Sequence, residues 1–256
     1  MLRRFFTLLA LCSAPVLGLA PAADARAEGA IKARYFTGGG YHDYKALAPV
    51  VTEGISRHAL VEWDIRFGQD ELAGKNVAEG ADVLVYNMCY DDGDPDVIER
   101  LLSITRAGKP TVLVHCSMHS FKATDAWTDC CGQRTRKHDA YRPFSTAKVD
   151  AEHPIVKTFP DHWKTPGDEL YQSIKLADDS HPLLMAKGEE NRENIVCWFH
   201  HYGQGRVFAT TLGHDMKTAA QDDYHKLLAS GLLWACDKLA DDGQPRAGYG
   251  PAKKAE

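Results

Sequence analysis

The 256-residue sequence predicts an α/β fold with a mostly parallel sheet, helices on both faces and a β-hairpin in its C-terminal half. Strand-like and helix-like segments alternate through the first half of the chain, which is the pattern of successive βαβ units. Two continuously apolar runs, residues 81–86 and 111–114, are typical of strands buried on both faces of a parallel sheet. The sequence Tyr-Gly-Gln-Gly at residues 202–205 favours a hairpin turn.

The first half of the chain contains four further predicted elements. The apolar run at residues 31–37 predicts the first strand, and residues 45–58 predict a helix because their apolar side chains recur at helical spacing. Residues 60–67 alternate between apolar and polar side chains, as a strand does. Residues 94–106 predict a second helix, with Pro95 in its first turn and a glycine just after its end.

The alternation is lost over residues 122–170, which are polar and highly charged. We expect this segment to be an insertion that wraps over the edge of the sheet. After it, residues 183–186 and 195–201 predict strands, and residues 206–212 predict the returning strand of the hairpin. A helix over residues 221–239 closes the predicted domain.

Both ends of the chain are expected to lie outside the folded domain, which we place at residues 28–239. Two arginines precede an apolar run, and small residues at suitable spacing follow it, so residues 1–27 are predicted to be a cleavable signal peptide. We therefore expect a periplasmic or secreted protein without a stable membrane span after signal removal; a retained membrane anchor is the alternative. Residues 240–256, rich in Gly, Pro, Lys and Ala, are predicted to be a disordered tail.

The formal net charge of −5 argues against nucleic acid as a partner, because phosphate binding usually requires a basic face. Export would place the protein where disulfides persist. No two cysteines have a Cys-x-x-Cys spacing, so a cysteine zinc site is not expected. A vicinal disulfide is strained, so one of the adjacent Cys130 and Cys131 is expected to pair elsewhere. The sequence leaves open the pairing among Cys89, Cys116, Cys130, Cys131, Cys197 and Cys236.

A glycine triplet at residues 38–40 follows the first predicted strand and precedes Tyr41, His42 and Asp43. Glycines let the backbone turn sharply and approach a ligand closely. In an open α/β sheet such a turn lies where ligands bind. No Gly-x-Gly-x-x-Gly spacing or following lysine supports a nucleotide, so none is expected. We instead predict that Gly39, Gly40 and Tyr41 contact substrate and that His42 and Asp43 face a cleft.

Two other predicted strand ends carry histidines, namely His115 and His119 after the fourth strand and His214 after the returning hairpin strand. If the first hairpin strand is antiparallel, the second runs parallel to the rest, and all three loops lie at the same carboxyl edge. Converging imidazoles and carboxylates suit divalent-metal binding or acid–base catalysis. The predicted catalytic candidates are His42, Asp43, His115, His119, His214 and Asp215.

Within this set we expect His42, His119 and His214 to bind a divalent metal such as zinc or to transfer protons. The alternative for each histidine taken singly is a hydrogen-bonded loop or packed residue, and the alternative for the two aspartates is helix N-capping. Glu169 is expected to contact substrate, with a core or surface role as its alternative. Cys116 follows a strand as a nucleophile would, although burial or disulfide bonding is the more frequent role of such a cysteine.

Seven segments occur together in a specific order between residues 31 and 237. They are TGGGYHDY (37–44), LVYNMC (84–89), VHCSMHSF (114–121), HPI (153–155), DELY (168–171), YGQGRVF (202–208) and TTLGHD (210–215). In this order and spacing the chain resembles the ThuA-like (trehalose utilisation) family.

The resemblance implies a flavodoxin-like fold related to the class I glutamine amidotransferases. It also implies a role in the utilisation of trehalose, a related disaccharide or a keto-sugar, so the expected partner is a small carbohydrate. Such a protein could be a hydrolase, lyase or isomerase, with a non-catalytic sugar-binding module and a Cys116-dependent hydrolase as alternatives. His115 and Cys116 occupy the place of the amidotransferase cysteine without a glycine-lined turn, so glutaminase activity is not expected.

Overall fold

The computed structural model describes residues 29–252. Its strands are β1 (Ile31–Gly39), β2 (Val61–Phe67), β3 (Val83–Cys89), β4 (Thr111–Val114), β5 (Gln133–His138), β6 (Thr146–Lys148), β7 (Tyr171–Leu176), β8 (His181–Lys187), β9 (Glu193–Tyr202) and β10 (Gly205–Thr210). Its α-helices are α1 (Tyr44–Ser56), α2 (Pro95–Arg106), α3 (Asp125–Cys131), α4 (Pro154–Lys157), α5 (Met216–Ala219) and α6 (Asp222–Ala235). Short 3-10 helices span Gln69–Ala73, His115–His119 and Glu189–Asn191.

The main sheet has eight strands in the order β2-β1-β3-β4-β10-β9-β8-β6. Strands β2, β1, β3, β4 and β10 are parallel, and β9, β8 and β6 extend the sheet by antiparallel pairing. The hairpin of β9 and β10 therefore returns β10 parallel to β4, as expected from the sequence. The predicted α/β fold, with its mostly parallel sheet and C-terminal hairpin, is confirmed.

Helices cover both faces of the sheet because alternate strand residues point to opposite sides. On one face, Tyr35 and Val85 pack in a core cluster with residues of α1, α4, α5 and α6. On the other, Phe36 and Tyr86 pack in a second cluster with residues of α2 and α3. Two buried layers thus hold the strands in place and leave the strand ends to form loops.

The segment predicted as an insertion contains α3, β5, β6 and α4. Strand β6 pairs with β8 at the sheet edge, whereas β5 pairs with β7 in a separate two-stranded ribbon. The sequence did not predict β7, because half of its side chains are polar and they do not alternate regularly with the apolar ones. In α3, Cys130 and Cys131 are both buried and unpaired, which differs from the expectation that one of them forms a disulfide.

The structure also differs from the predicted disordered tail. The side chain of Tyr249 is only 7% exposed, its carbonyl oxygen accepts the N–H of Leu60, and the ammonium of Lys238 lies 4.6 Å from its ring centroid. Residues 240–252 therefore pack on the domain, because burial of the Tyr249 ring stabilises a segment whose composition by itself favours disorder. The remaining tail residues, 253–256, and the predicted signal peptide, 1–27, lie outside the described residues. Across residues 29–252, no helix combines the length and apolarity needed to cross a membrane.

Replacing Tyr249 with alanine tests the packing of the C-terminal segment. We expect the free energy of unfolding to fall by roughly 3 kcal/mol, because the substitution removes a buried aromatic ring. Urea denaturation of the two proteins measures this difference. The exposed neighbour Pro251, replaced by alanine, is the matched control and should leave stability nearly unchanged. Equal stability of the Tyr249→Ala protein and the wild type would instead support the disordered tail.

Candidate active site

Three histidines converge at the carboxyl edge of the parallel strands. His42 follows β1, His115 follows β4 and His214 follows β10. Each offers a ring nitrogen, and these three atoms all lie within 4.8 Å of one another. The ring centroids are 4.8 Å apart for His42 and His214, 4.9 Å for His42 and His115, and 5.5 Å for His115 and His214. We call these residues the histidine trio.

Left-handed backbone conformations turn the chain at each of the three strand ends. Gly39 has φ of +124°, and a Cβ atom there would collide with the carbonyl of Cys89. Gly213, directly before His214, has φ of +108°. His115 itself has φ of +48°, a conformation that is costly for a residue with a Cβ atom. The local backbone therefore carries strain at the point where the imidazoles meet.

In each ring of the trio, one nitrogen faces a hydrogen-bonding or charged partner. His115 Nδ1 donates to the carbonyl oxygen of Thr211 at 2.6 Å. His214 Nδ1 lies 3.1 Å from Oε2 of Glu169, and the His42 ring hydrogen-bonds to the backbone of His214. This arrangement, in which carbonyls and a carboxylate orient the rings, is the one that metal-binding histidines usually have. At His115 the second nitrogen, Nε2, lies 3.3 Å from the Tyr171 hydroxyl, so a ligand bound there would displace that contact.

Burial makes two members of the trio neutral at physiological pH. Desolvation, and then the charge of His214, lower the pKa of His42 to about 4. Desolvation likewise holds the pKa of fully buried His115 well below its ordinary value. For His214, the hydrogen bond with Glu169 raises the pKa despite partial burial. Neutral imidazoles are the form that can ligate a metal.

Glu169 provides a carboxylate at the centre of this cluster. Its Oε2 atom lies 3.1 Å from His214 Nδ1 and 3.6 Å from His115 Nε2, and its Oε1 atom lies 3.5 Å from His138 Nε2. Burial alone would raise its pKa, but the hydrogen bond from His214 and the charge of that ring lower it overall. Glu169 is therefore ionised at neutral pH, and its side chain is only 15% exposed.

The neighbouring carboxylate of Asp168 is completely buried and holds the site loops together. It accepts backbone N–H groups of Gly213 at 2.8 Å, of Glu169 at 2.8 Å and of His214 at 3.2 Å. Desolvation raises its pKa to about 6, partly offset by these hydrogen bonds. One side chain thus ties the loop of Glu169 to the loop of His214.

His119 lies outside the trio, so of the three histidines predicted as ligands the structure brings together His42 and His214 and places His119 elsewhere. The Nε2 atom of His119 is 2.7 Å from the hydroxyl oxygen of Thr135, and its ring stacks on Tyr171 at 4.2 Å with parallel planes. The third ring of the cluster belongs to His115, because the left-handed backbone of this residue turns its ring toward His42 and His214. The Tyr171 hydroxyl lies 3.3 Å from His115 Nε2, so His119 contacts the site indirectly.

The other predicted site residues have distinct positions. Asp43 caps α1 by accepting the N–H of Ala46, and Asp215 caps α5 by accepting the N–H of Lys217. Both aspartates therefore form the helix N-cap bonds that were the alternative to a catalytic role. Gly40 is exposed with open space around its Cα, and Gly39 packs against Cys89. Tyr41, which precedes His42 in the chain, is exposed, and its hydroxyl donates to Asp91.

Two residues near the site had only a weak sequence signal: exposure was the favoured expectation for His138, and a core or surface role was favoured for Tyr171. His138, at the end of β5, contacts Glu169, and Tyr171, at the start of β7, contacts His115. The pairing of β5 with β7 brings them together, including the pair of His138 and Tyr171. The sequence showed no regular pattern there from which this ribbon could be inferred.

Cys116 forms a disulfide with Cys89, which joins the ends of β3 and β4 beside the trio. The Cα atoms are 5.2 Å apart, within the range of ordinary disulfides. Since its sulfur is bonded, Cys116 has no free thiol to act as a nucleophile. The pair instead anchors the segment that begins with His115.

The fold and site together define an α/β protein with a polar cluster at the carboxyl edge of a mostly parallel sheet. The family model described as ThuA, trehalose utilisation, matches residues 32–235. The chain belongs to this family. No curated protein matches it.

Solved structures with the same fold include two ThuA-like proteins. One, from Parabacteroides merdae ATCC 43184, is 20% identical with a TM-score of 0.70, and the match covers 88% of this chain and 98% of that one. The other, from Bacteroides uniformis ATCC 8492, is 14% identical with a TM-score of 0.67 and the same coverages. A β-galactosidase from Rahnella sp. R3 is 14% identical with a TM-score of 0.58, covering 85% of this chain and 32% of that enzyme. At these identities the similarities concern the fold.

Replacing Asp168 with alanine tests its role in holding the site loops. We expect a loss of at least about 3 kcal/mol in the free energy of unfolding, because three backbone N–H groups lose a buried acceptor. The comparison variant Asp43→Ala removes an exposed helix cap and should cost only about 1 kcal/mol. Denaturant unfolding of both variants measures the difference. Equal losses would contradict the role assigned to Asp168.

Proposed function

We propose that this protein is an exported enzyme that acts on trehalose, a related disaccharide or its keto form, with a divalent metal such as zinc held by His42, His115 and His214. The observation that carries this proposal is the geometry of the trio. Three imidazoles from three separate loops present nitrogen atoms within 4.8 Å of one another, and each ring is oriented through a contact of its own.

The donor set fits zinc better than a hard cation. Three histidines plus an open position for water or substrate is a familiar catalytic zinc arrangement, whereas calcium and magnesium prefer oxygen ligands. The orienting partners of the rings are the backbone carbonyls and the carboxylate that such ligands typically have. A bound ion would supply Lewis-acid chemistry, by polarising a sugar carbonyl or lowering the pKa of a water molecule.

Glu169 is the general base in this proposal. Its carboxylate is ionised, largely shielded from solvent and within 3.6 Å of two members of the trio. It would therefore accept a proton from water or from the carbon beside a sugar carbonyl bound at the trio. His138, 3.5 Å from the other carboxylate oxygen and partly exposed, would orient that carboxylate from the solvent side.

Export is supported by two independent observations. The first 27 residues have the pattern of a signal peptide. The disulfide of Cys89 and Cys116, beside the proposed site, would persist in an oxidising compartment.

The family's description as trehalose utilisation supports a sugar as the substrate class.

Zinc binding by single variants tests the ligand set. His42→Ala, His115→Ala and His214→Ala should each lower zinc affinity by at least about a hundredfold, because each removes one of three ligands. His119→Gln should bind zinc as the wild type does, since His119 faces Thr135 and Tyr171. Isothermal titration of zinc into chelator-treated protein gives these affinities. Undiminished binding by the His115→Ala protein would disprove the ligand set, as would equal weakening in His119→Gln.

Turnover assays with Glu169→Gln test the proposed base. Disaccharides and their 3-keto derivatives are screened with the wild type, with and without chelator, and product formation is followed by chromatography. We expect chelator-sensitive turnover that falls by roughly a thousandfold in Glu169→Gln, since general-base catalysis typically contributes that much. Zinc binding by this variant, measured in parallel, should persist. Full activity of metal-free protein would exclude the metal's role, and sugar binding without turnover would favour a non-catalytic module.

A further inference from the structure

The Tyr171 hydroxyl contacts a nitrogen of the histidine trio. It lies 3.3 Å from Nε2 of His115, and the centroids of the two rings are 4.9 Å apart. The other nitrogen of the imidazole, Nδ1, donates to the carbonyl oxygen of Thr211 at 2.6 Å. A neutral imidazole has one N–H and one lone pair, and a carbonyl oxygen can only accept. The lone pair of His115 is therefore on Nε2, where the tyrosine O–H donates to it.

A metal ion at His115 would need the same lone pair. Metals bind the unprotonated nitrogen of a neutral imidazole, so Nε2 is the atom that His115 can offer. Oε2 of Glu169 is 3.6 Å from this nitrogen, beyond ordinary hydrogen-bond distance, so the Tyr171 hydroxyl is its nearer partner. One lone pair cannot accept a proton and bind an ion at once. The tyrosine donor and a metal ion therefore exclude each other at His115.

The Tyr171 ring is fixed from several sides. Its side chain is only 1% exposed, and the His119 ring stacks on it at 4.2 Å with the two planes 4° apart. The Nε2 atom of His119 is in turn 2.7 Å from the Thr135 hydroxyl oxygen. His138, the register partner of Tyr171 in the ribbon of β5 and β7, also stacks against the ring. A hydroxyl displaced from His115 would thus remain inside the protein, without water to replace the lost bond.

We propose that the Tyr171 hydroxyl regulates metal binding at the trio by occupying the ligand nitrogen of His115 until an ion displaces it. This inference rests on the proposed function and concerns the regulation of the same site. In the metal-free protein the hydroxyl provides a partner for a buried nitrogen, and in the metal-bound protein it loses that bond. Because a buried hydroxyl without a partner is costly, this loss lowers the affinity of the site for the ion. The trio then exchanges metal more readily than the same three histidines would without the hydroxyl.

Phenylalanine at position 171 removes the hydroxyl and keeps the ring. The stack with His119 and the packing against His115 involve the ring and are retained. The carbonyl oxygen of Thr211 still orients the His115 imidazole. The lone pair of Nε2 is then open to an ion without a competing donor. We therefore expect this substitution to strengthen metal binding.

Isothermal titration of zinc into chelator-treated wild type and Tyr171→Phe tests this. We expect the variant to bind zinc at least about fivefold more tightly, the factor that corresponds to one displaced buried hydroxyl. Damage to the site would weaken binding, so an increase is specific to the competition. Tyr224→Phe is the matched control. It also loses a buried hydroxyl, which donates to the carbonyl oxygen of Leu212, but it frees no nitrogen of the trio and should not tighten binding.

Two further measurements show whether Tyr171 acts through His115. In the His115→Ala background, Tyr171→Phe should leave the remaining zinc affinity unchanged, because the nitrogen for which the hydroxyl competes is absent. In metal-free protein, the nitrogen NMR resonance of His115 Nε2 should move toward that of an unbonded imidazole nitrogen in Tyr171→Phe. The same resonance should stay in place in Tyr224→Phe.

The outcomes separate this inference from the proposed function. If the wild type binds zinc and Tyr171→Phe binds it equally or more weakly, regulation by the hydroxyl is disproved while the ligand set stands. A gain in affinity that persists in the His115→Ala background would also overturn the inference, because the effect would not then pass through His115. An unmoved Nε2 resonance in Tyr171→Phe would show that the hydroxyl does not occupy this nitrogen. If the wild type binds no zinc, the ligand set of the proposed function fails and this inference fails with it.

Discussion

The buried carboxylate of Asp168 is the interaction on which the site depends. It accepts three backbone N–H groups from two loops that are distant in sequence, and in doing so it fixes Glu169 relative to His214. A charged group without water around it is costly, and the raised pKa of Asp168 reflects that cost. The loops are held together because the two oxygens of Asp168 pair three backbone N–H groups that would lose their acceptor without it.

Backbone strain at the strand ends complements this clamp. The left-handed conformation at His115 is unfavourable, and the disulfide of Cys116 with Cys89 covalently anchors the residue that follows it. Strain of this kind persists where the surrounding structure determines the conformation, and it is concentrated at functional sites. Packing of the two core layers supplies that support, since β1, β3 and β4 are buried on both faces.

Much of the fold could be predicted because its signals are local. Continuous apolar runs at β3 and β4, helical spacing in α1 and the glycine turn of the hairpin are each contained within a few residues. The ribbon of β5 and β7 could not be predicted, since its strands are largely polar and pair only with each other. The C-terminal segment was also missed, because its order depends on one tyrosine packing against residues far away in sequence.

The sequence by itself determined the α/β architecture and the loops in which site residues lie, because the direction of each strand decides the edge at which its loop emerges. It placed His42 and His214 at the same edge by this argument. Only the tertiary structure decided that His115, rather than His119, completes the trio, since a left-handed φ at a non-glycine residue has no sequence signature. It also decided the central position of Glu169, because this position depends on contacts between segments that no local pattern encodes.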